Sequence, residues 1–277
     1  MKSKLAILLA TYNSQKFLEE QLASLQNQTN KDWILYIRDD GSADNTLNII
    51  EINRKQYPNI VVLDDSNKGL GAMKSFFYLL ENVDAEYYMF CDHDDVWLPN
   101  KIEISLANII KAEFDHPNKP VIVHTDLKVV NGNLEVIKPS FWKMSAIKPK
   151  IIQNENLIQV FNCVTGCTMI FNKEVKGITF PYVDQAPMHD WWIALQTIKK
   201  GGVVKHLEAA TILYRQHGNN EVGARNISFY YFFNKIKDLQ KTLEGHSQHI
   251  KFLKKINGLN AFQYYYYKLY YTILRKL

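Results

Sequence analysis

The sequence predicts an α/β fold in which a mainly parallel central sheet carries helices on both faces. Short apolar runs alternate with segments of helical spacing through the first half of the 277 residues. Most of these runs are continuously apolar, as in strands that are buried on both faces. The hydrophobic content of 47% is ample for a packed core at this length. Alternating strands and helices imply parallel βαβ units, whose ligands bind beyond the carboxyl ends of the strands.

The elements of the first half follow from this alternation. The strands are predicted over residues 5–11, 33–39, 60–64, 87–91 and 121–125. The helices are predicted over residues 16–28, 44–56, 71–81 and 100–113. Asp44 is placed to cap the second helix, and Pro99 stands just ahead of the fourth.

The second half has a more mixed pattern. Asn131-Gly132 predicts a hairpin turn within residues 128–137. Further along, the patterns predict a strand, a helix and a pair of short strands, over residues 166–171, 189–200 and 203–214 respectively.

The composition changes near residue 227. Residues 228–277 contain nine Lys/Arg and only two Asp/Glu, a net charge of +7, together with eight of the 16 tyrosines. We therefore predict a main domain over residues 1–227 and a basic, Tyr-rich helical segment over residues 228–277. Apolar residues alternate with lysines in that segment, within residues 229–233, 250–256 and 262–274. Such helices suit an anionic membrane surface, but a helical cap on the domain or a dimer contact fits the same pattern.

Targeting signals and cysteines favour the cytosol. The apolar run over residues 5–10 is shorter than the ~7–15 residues of a secretory signal. No run approaches the ~18 apolar residues of a spanning helix. Three cysteines, Cys91, Cys163 and Cys167, cannot pair completely, and no second Cys/His pair stands at zinc-site spacing. We expect buried free thiols in a cytoplasmic protein.

Polar residues follow four successive predicted strands. The segments are Thr11-Tyr12-Asn13, Asp39-Asp40-Gly41-Ser42, Asn67-Lys68-Gly69 and Asp92-His93-Asp94-Asp95. Loops at one edge of a sheet converge in space, so these groups are expected to line a single crevice.

Two of these segments suggest particular contacts. Asp92 and Asp94, at i and i+2 after a strand, can both reach a hard divalent cation, because Mg²⁺ and Mn²⁺ prefer oxygen ligands. A solvated acidic turn is the plain alternative. Asp39 and Asp40 suit a ribose or base contact, and an ordinary Asp-Gly turn at Asp40-Gly41 explains them equally well.

Seven sequence blocks together resemble a known family. In order, they are ATYN, RDDGS, NKG, CDHDDVWLPNK, VTGC, HDWW and YRQHGNN. With this order and spacing the chain resembles the family 2 inverting glycosyltransferases, which have the Rossmann-like GT-A fold. It is most similar to the bacterial rhamnosyltransferase-like branch that builds cell-wall, capsule and O-antigen polysaccharides. The resemblance covers roughly residues 4–222.

The resemblance implies roles for individual residues. It assigns the nucleotide to Ala10, Tyr12, Asp40 and Asp92, the metal to Asp94 and His217, and the catalytic base to Asp190. It leaves the basic residue near the diphosphate open among Lys74, Arg215 and Arg225. The expected acceptor or donor-sugar contacts are Asp95, Gly166, His189, Trp191, Trp192 and Arg215. One departure is His189, where many family members have Glu.

The reaction itself calls for a residue like Asp190. Inverting transfer is one in-line displacement, which needs a carboxylate to take the acceptor proton on the face opposite the departing phosphate. Asp190 begins a predicted helix after an irregular loop, where an N-cap is the structural alternative. Trp191 and Trp192 could stack on sugars or belong to the core, and His217 could bind metal or be structural.

We therefore expect a metal-dependent hexosyltransferase. It would use Mn²⁺ or Mg²⁺ to pass rhamnose or another hexose from a nucleotide diphosphate to a hydroxyl of a glycan or lipid-linked oligosaccharide. Its expected partners are the sugar nucleotide, the acceptor and an anionic surface on the inner face of the membrane, without nucleic acid. Two alternatives stay open: a haloacid-dehalogenase-like phosphatase using Asp92-x-Asp94, and a non-enzymatic module that binds glycan or nucleic acid through the basic aromatic tail.

Overall fold

The computed structural model describes residues 3–217 and 239–275. Nine strands in these ranges form one sheet. The strands are β1 (Ser3–Thr11), β2 (Ile34–Asp39), β3 (Ile60–Val62), β4 (Ala85–Cys91), β5 (Val96–Trp97), β6 (Val121–Val130), β7 (Val136–Lys138), β8 (Met169–Asn172) and β9 (Val203–Arg215).

Ten α-helices lie in the same ranges. They are α1 (Leu18–Gln26), α2 (Thr46–Gln56), α3 (Gly71–Asn82), α4 (Lys101–Asp115), α5 (Phe141–Met144), α6 (Glu155–Ile158), α7 (Lys173–Thr179), α8 (His189–Lys199), α9 (Leu239–Lys255) and α10 (Ala261–Leu274). Two 3₁₀ turns, Pro149–Gln153 and Gly166–Thr168, interrupt the connection from β7 to β8.

The sheet has a parallel half and a mixed half. Its strand order is β3-β2-β1-β4-β8-β6-β9-β5, with β7 paired to β6. The first four strands are mutually parallel, as predicted. Strand β8 runs antiparallel to both β4 and β6, while β9 is parallel to β6. The prediction of a mainly parallel sheet therefore holds for the first half, and β8 makes the whole sheet mixed.

Several predicted elements need correction. Residues 203–214, expected as two strands, belong to the single strand β9, whose register against β6 shifts near Asp126. Residues 166–168 form a 3₁₀ turn, so the strand begins only at Met169. The N-cap of α2 is Asn45, while Asp44 Oδ1 accepts a hydrogen bond from the Thr46 N–H (3.0 Å). The hairpin at Asn131-Gly132 is confirmed by the pairing of β6 with β7.

The core lies on both faces of the sheet. Strand β1 shows the division, because Ala6 and Leu8 pack on one face, whereas Leu5, Ile7 and Leu9 pack on the other. The first face is covered by α3, α6, α7, α8, α9 and α10, and the second by α1, α2 and α4. A central strand buried on both faces explains the continuously apolar runs that predicted it.

The C-terminal helices pack against the first face. Phe252, Leu253, Tyr264 and Tyr271 join the same buried cluster as Ile158. Helix α10 starts at a capping box made by Asn260 and Gln263. The predicted boundary near residue 227 and the apolar run over residues 229–233 lie outside the described residues, so the division into two domains stays a prediction. None of the described helices is long and apolar enough to cross a membrane.

Candidate active site

The topology gathers the acidic loops at one edge of the sheet. The carboxyl ends of β1, β2 and β4 share this edge because these strands are parallel. Strand β8 runs the other way, so the turn that precedes it also lies there. Strands β6 and β9 are antiparallel to β8 and end at the same edge. Loops from five strand ends and the start of β8 therefore meet at one place.

Asp39 organises the loop after β2. Its carboxylate accepts hydrogen bonds from the Gly41 N–H (3.0 Å), the Ser42 N–H (2.8 Å) and the Thr11 hydroxyl (3.0 Å). Gly41 has a φ of +95°, a conformation that favours glycine. This turn lies beside the end of β1, where Tyr12 is 56% exposed. Tyr12 is therefore accessible to solvent at the edge of the sheet where the loops meet.

Asp40 is held inside the protein. Its carboxylate accepts hydrogen bonds from Arg38 (2.8 Å) and from the Leu70 and Gly71 N–H groups (2.9 and 2.8 Å) at the start of α3. Burial by itself raises the pKa of Asp40, but these hydrogen bonds, led by the one from Arg38, leave it below its ordinary value. Asp40 thus stays ionised and ties β2 to α3. Ala10 pairs with Arg38 in the neighbouring register.

Lys74 lies on the first turn of α3 and is half-exposed. Its Nζ is 3.1 Å from Asp184 Oδ1, in the loop that leads to α8. The hydrogen bond to Asp184 raises the pKa of Lys74, so the side chain is a cation at neutral pH. An ion pair this exposed is weak.

The expected metal ligands meet after β4 and β9. His217 Nε2 lies 2.8 Å from Asp94 Oδ2, and the His217 ring packs on Phe17 at 5.0 Å between ring centroids. Asp92 is partly exposed in the same loop. Carboxylate oxygens with one imidazole suit Mn²⁺ or Mg²⁺. The residues named from the sequence therefore fit a divalent cation.

A second group of possible ligands overlaps this loop. A carboxylate oxygen of Asp92, one of Asp95 and the Cys167 sulfur lie within 4.8 Å of one another. Burial raises the pKa of the Cys167 thiol well above its ordinary value, so the sulfur stays protonated. Hard cations also prefer oxygen to sulfur. On these chemical grounds we expect a hard cation at the Asp94–His217 pair rather than at the sulfur.

Asp95 and Arg215 serve the loop rather than a sugar. Asp95 is fully buried and accepts a hydrogen bond from the Arg215 N–H (3.2 Å). The buried Arg215 guanidinium donates to the Asp94 and Gly132 carbonyls (2.9 and 2.6 Å) and to the Glu20 carboxylate. Their expected contacts with the donor or acceptor are therefore wrong, because both side chains are enclosed and bonded to protein.

Asp190 is the second residue of α8 and faces the turn before β8. Its carboxylate accepts hydrogen bonds from the Gly166 N–H (2.9 Å) and from Asn162 Nδ2 (3.3 Å). Desolvation raises the pKa of Asp190 to about 7, against the lowering effect of N–H groups. The residue is nevertheless partly open to solvent. The N-cap of α8 is Met188, so the capping alternative for Asp190 is wrong.

Asn162 is a site residue that the sequence analysis missed. Its amide is fixed at both ends, because it accepts from the Val164 N–H (3.0 Å) and donates to the Val164 carbonyl (2.7 Å). The amide nitrogen also faces Asp190. The two residues are 28 positions apart, and the nearby turn at Gly166 also contacts Asp190. The FNCVTGC segment, with two polar residues between apolar ones, was the available signal.

His189 is a packing residue. Its ring is buried between Phe76 and Phe90, with ring centroids at 4.3 and 4.7 Å. Desolvation lowers the pKa of His189 to about 3, so the ring is neutral. A Cβ atom on Gly166 would lie 2.8 Å from His189 Nε2, so His189 and Gly166 fit against each other directly. The expected sugar contact of His189 is therefore wrong, and Gly166 contributes an N–H to Asp190.

Of the two tryptophans of α8, Trp192 belongs to the interior and Trp191 is partly buried against it. Trp192 is buried and donates to the Thr179 carbonyl (2.8 Å). Trp191 donates to the Ile158 carbonyl (2.6 Å), and its ring lies 4.9 Å from that of His249 on α9. Trp192 cannot stack on an acceptor sugar, and Trp191 links the start of α8 to the C-terminal helices.

Another depression lies at the opposite edge of the sheet. It has a volume of about 430 Å³ and is lined by Tyr88, Lys176 and Phe180 among others. It adjoins the amino end of β4, away from every acidic loop described above. The candidate catalytic and metal-binding residues therefore do not line this depression.

The comparisons with known proteins agree with this geometry. The family model described as glycosyl transferase family 2 matches residues 6–177. The chain is 33% identical over 234 residues to the dTDP-rhamnosyl transferase RfbG of Shigella flexneri, covering 80% of this chain and 75% of that protein. The chain belongs to glycosyl transferase family 2. A second relative of this glycosyltransferase is WfgD of Escherichia coli, a UDP-Glc:alpha-D-GlcNAc-diphosphoundecaprenol beta-1,3-glucosyltransferase, with 22% identity over 72% of this chain and 71% of that protein.

Solved structures share the fold of this family 2 glycosyltransferase. The crystal structure of Staphylococcus aureus TarS 1–349 in complex with UDP matches with a TM-score of 0.59 and 21% identity, over 78% of this chain and 61% of that one. The mannosyltransferase PcManGT from Pyrobaculum calidifontis, in complex with GDP-Man and Mn²⁺, gives 0.57 and 16%, over 94% and 66%. This chain therefore spans slightly less than two thirds of either structure. The GT-A fold is confirmed, and the phosphatase and binding-module alternatives are not favoured.

Proposed function

We propose that this glycosyltransferase inverts configuration as it moves a sugar from a nucleoside diphosphate to a hydroxyl of a saccharide acceptor. One observation carries the proposal. The Asp94–His217 pair, suited to a divalent cation, and the carboxylate of Asp190, suited to a base, lie at the same edge of one sheet. A leaving diphosphate and an incoming hydroxyl need these two kinds of group on opposite sides of a sugar.

The donor occupies the parallel half. Tyr12 and Ala10, at the end of β1, line the nucleobase position beside the turn that Asp39 holds. Asp92 reaches the ribose, and Lys74 lies on the first turn of α3 for the diphosphate. Asp40 contributes to nucleobase binding indirectly, because its carboxylate is bonded to Arg38 and to the start of α3. Its role is to hold the loop after β2 in position.

Asp94 and His217 would hold Mn²⁺ or Mg²⁺, with Asp92 in the same loop. When bound, the cation neutralises the charge of the departing diphosphate. Arg215 keeps the loop in place, since its guanidinium donates to the carbonyl of Asp94 itself. The protein therefore holds Asp94 and His217 in position before the donor binds.

Asp190 takes the proton. As the acceptor oxygen bonds to the anomeric carbon, the bond from that carbon to the phosphate oxygen breaks, and the diphosphate leaves with the electron pair. The acceptor proton passes to the carboxylate of Asp190, whose N–H contacts from Gly166 and Asn162 hold it in place. A pKa of about 7 suits this task, because a base works best when its pKa is near the operating pH.

The relatives suggest the substrates to try first. The named activity of RfbG makes dTDP-rhamnose the first donor to test. The named activity of WfgD makes a lipid diphosphate-linked sugar the first acceptor to test. We propose that the enzyme acts in the cytoplasm, on the inner face of the membrane, in the synthesis of a cell-surface polysaccharide.

Ligand-induced stabilisation tests the donor site. Melting temperatures with dTDP, UDP and GDP, each with Mn²⁺ or EDTA, are expected to rise for one nucleotide and only with metal. A ligand at 100 times its Kd stabilises by ~2.7 kcal/mol, which is easily measured. Asp94→Ala is expected to abolish the metal-dependent increase. Asp84→Ala, at the opposite edge of the sheet, is the matched control and keeps it.

Transfer assays then test the whole proposal. Asp94→Ala is expected to lose transfer from dTDP-rhamnose. Full activity of this variant in EDTA would show that the metal assignment is wrong. Stabilisation by none of the three nucleotides, in an otherwise folded protein, would contradict the donor site itself.

A further inference from the structure

Helix α10 has an exposed apolar face. We call this face the outer stripe, and its members are Phe262, Tyr265, Tyr266, Leu269, Tyr270 and Ile273. Their spacing of three and four residues places them along one side of the helix. Each is between 42% and 82% exposed. The stripe runs over twelve residues, from Phe262 to Ile273, or roughly 16 Å at 1.5 Å per residue.

The other side of α10 already has its packing partners. Tyr264 and Tyr271 are buried in the core cluster, and the Tyr271 ring stacks on Phe161 at 4.1 Å. Tyr267 accepts a hydrogen bond from Asn156 (2.9 Å). The fold therefore uses one face of the helix and leaves six large apolar side chains in contact with water. A contiguous apolar patch of this kind marks an interaction surface.

Charge indicates what this surface binds. After Glu244 the sequence contains six Lys/Arg and no Asp/Glu. Lys251, Lys254 and Lys255 are exposed on α9, which forms a helical hairpin with α10. An apolar stripe rich in tyrosine, on a hairpin whose other helix carries three exposed lysines, complements the headgroup region of an anionic bilayer. A second copy of the hairpin would bring like charges together.

We propose that the outer stripe of α10 docks on an anionic lipid surface. Tyrosine suits this position, because its ring enters the interface while its hydroxyl stays in water. The lysines add an attraction that salt screens. The protein is then held on the bilayer by one face of a helix whose other face is packed on the enzyme.

The docked hairpin adjoins the acceptor side of the site. Helix α10 rests on Asn156 and Phe161, and the next residue, Asn162, faces Asp190. On α9, His249 packs on Trp191, which follows Asp190 directly. In one respect this inference rests on the proposed function: docking of α10 would bring Asp190, the proposed base, to the surface where a lipid-linked acceptor lies.

Vesicle co-sedimentation tests the surface with the full chain. The wild type is expected to bind phosphatidylcholine vesicles that contain phosphatidylglycerol, and to bind less at high salt or without the anionic lipid. The double variant Tyr266→Asp/Leu269→Asp is expected to reduce the bound fraction by at least ~10-fold. Phe114→Asp is the matched control, since Phe114 is 86% exposed on α4, on the other face of the sheet, and this variant keeps wild-type binding.

A second pair of substitutions keeps the proposal testable if the stripe variant misfolds. Lys254→Glu/Lys255→Glu leaves the stripe intact and is expected to weaken binding mainly at low salt, because it reverses exposed charges. A wild type that ignores anionic vesicles would overturn the proposal, as would a stripe variant that sediments like the wild type. So would a wild-type dimer in gel filtration that the stripe variant dissociates, since the stripe would then bind a second copy.

Nucleotide binding in solution separates the two proposals. The stripe variant is expected to keep the melting-temperature increase with nucleotide and Mn²⁺. If the wild type binds vesicles through the stripe but binds no nucleotide, the docking surface stands and the proposed function fails.

Discussion

Asp40 and Asp190, which lie beside different halves of the sheet, have opposite electrostatic environments. Asp40, in the parallel half, accepts hydrogen bonds from Arg38 and from the first N–H groups of α3, which hold its pKa below the ordinary value against the effect of burial. Asp190, on α8 beside the mixed half, accepts from neutral N–H groups among the described residues, and desolvation raises its pKa to about 7. The first is a fixed anion, and the second can gain and lose a proton near neutrality.

This contrast separates structural from chemical carboxylates. The carboxylate that stays charged is paired with a guanidinium, whereas the carboxylate that gains and loses a proton has no cationic partner among the described residues. The neighbour of Asp190 in sequence follows the same rule, because His189 is buried and neutral. Each of the following substitutions affects either the structural carboxylate, Asp40, or the chemical carboxylate, Asp190.

Asp190→Asn is expected to have the largest effect. It keeps the shape of the side chain but cannot take a proton, so turnover should fall by ~10²–10⁴-fold. Nucleotide affinity should be unchanged, because the donor ligands lie on other loops. Steady-state kinetics and nucleotide titration on the same preparation check both statements.

Asp84→Asn is the matched control for this change. Asp84 is an exposed carboxylate paired with Lys176 at the opposite edge of the sheet. The control should keep wild-type turnover. Wild-type turnover in Asp190→Asn would instead remove Asp190 from the mechanism.

Arg38→Met tests the structural side of the contrast. The Arg38 guanidinium is fully buried and bonded to Asp40 (2.8 Å), Asp65 (2.7 Å) and the Ser75 hydroxyl (2.8 Å). Removing it leaves two carboxylates without their cation, which should lower the free energy of unfolding by ~3–5 kcal/mol. Urea denaturation measures this loss.

Arg54→Met removes an arginine of the same kind at the surface. Arg54 pairs with Glu51 on the exposed side of α2, where water screens both charges. Its unfolding midpoint should match that of the wild type. Equal losses from Arg38→Met and Arg54→Met would mean that the buried network does not anchor the loop.

Asn162→Ala is expected to have the smallest effect, a shift in the pH profile. Asn162 donates to the charged form of Asp190, so its removal raises the pKa of the base further. The rising limb of kcat/KM should move to higher pH by less than ~1 unit. Activity should therefore fall more at pH 6 than at pH 9.

Asn162→Asp sharpens this test. A carboxylate in place of the amide faces Asp190 with like charge and should move the limb further in the same direction. The wild-type limb should lie near pH 7, where Asp190 loses its proton. A uniform loss at every pH would show that Asn162 only supports the fold.

The parallel half was predictable because its signals are local. Each strand is a continuous apolar run that ends in polar residues, so strand and loop can be found from neighbours in the sequence. The loops at Asp39 and Asp92 were identified this way. The direction of β8 was not predictable, since a four-residue strand carries no sign of whether it runs parallel or antiparallel to β4.

The errors in the site concern side chains with both polar and apolar parts. His189 and Trp192 were expected to contact sugars, and both are buried. Their spacing of three residues on α8, together with Ile193, places them on one inward face and could have indicated this. Arg215 gave no such signal, because its partners Glu20 and Gly132 are far away in sequence.

The three buried thiols can report local opening of the enzyme. Cys91 and Cys167 flank the acidic loop, Cys163 adjoins Asn162, and all three are free and at most 4% exposed. An alkylating reagent can reach them only in molecules that have opened locally, so the labelling rate reports the free energy of opening. Slower labelling of Cys91 and Cys167 with nucleotide and Mn²⁺ would measure how far donor binding stabilises the acidic loop, while Cys163 would report the surroundings of Asp190 in the same sample.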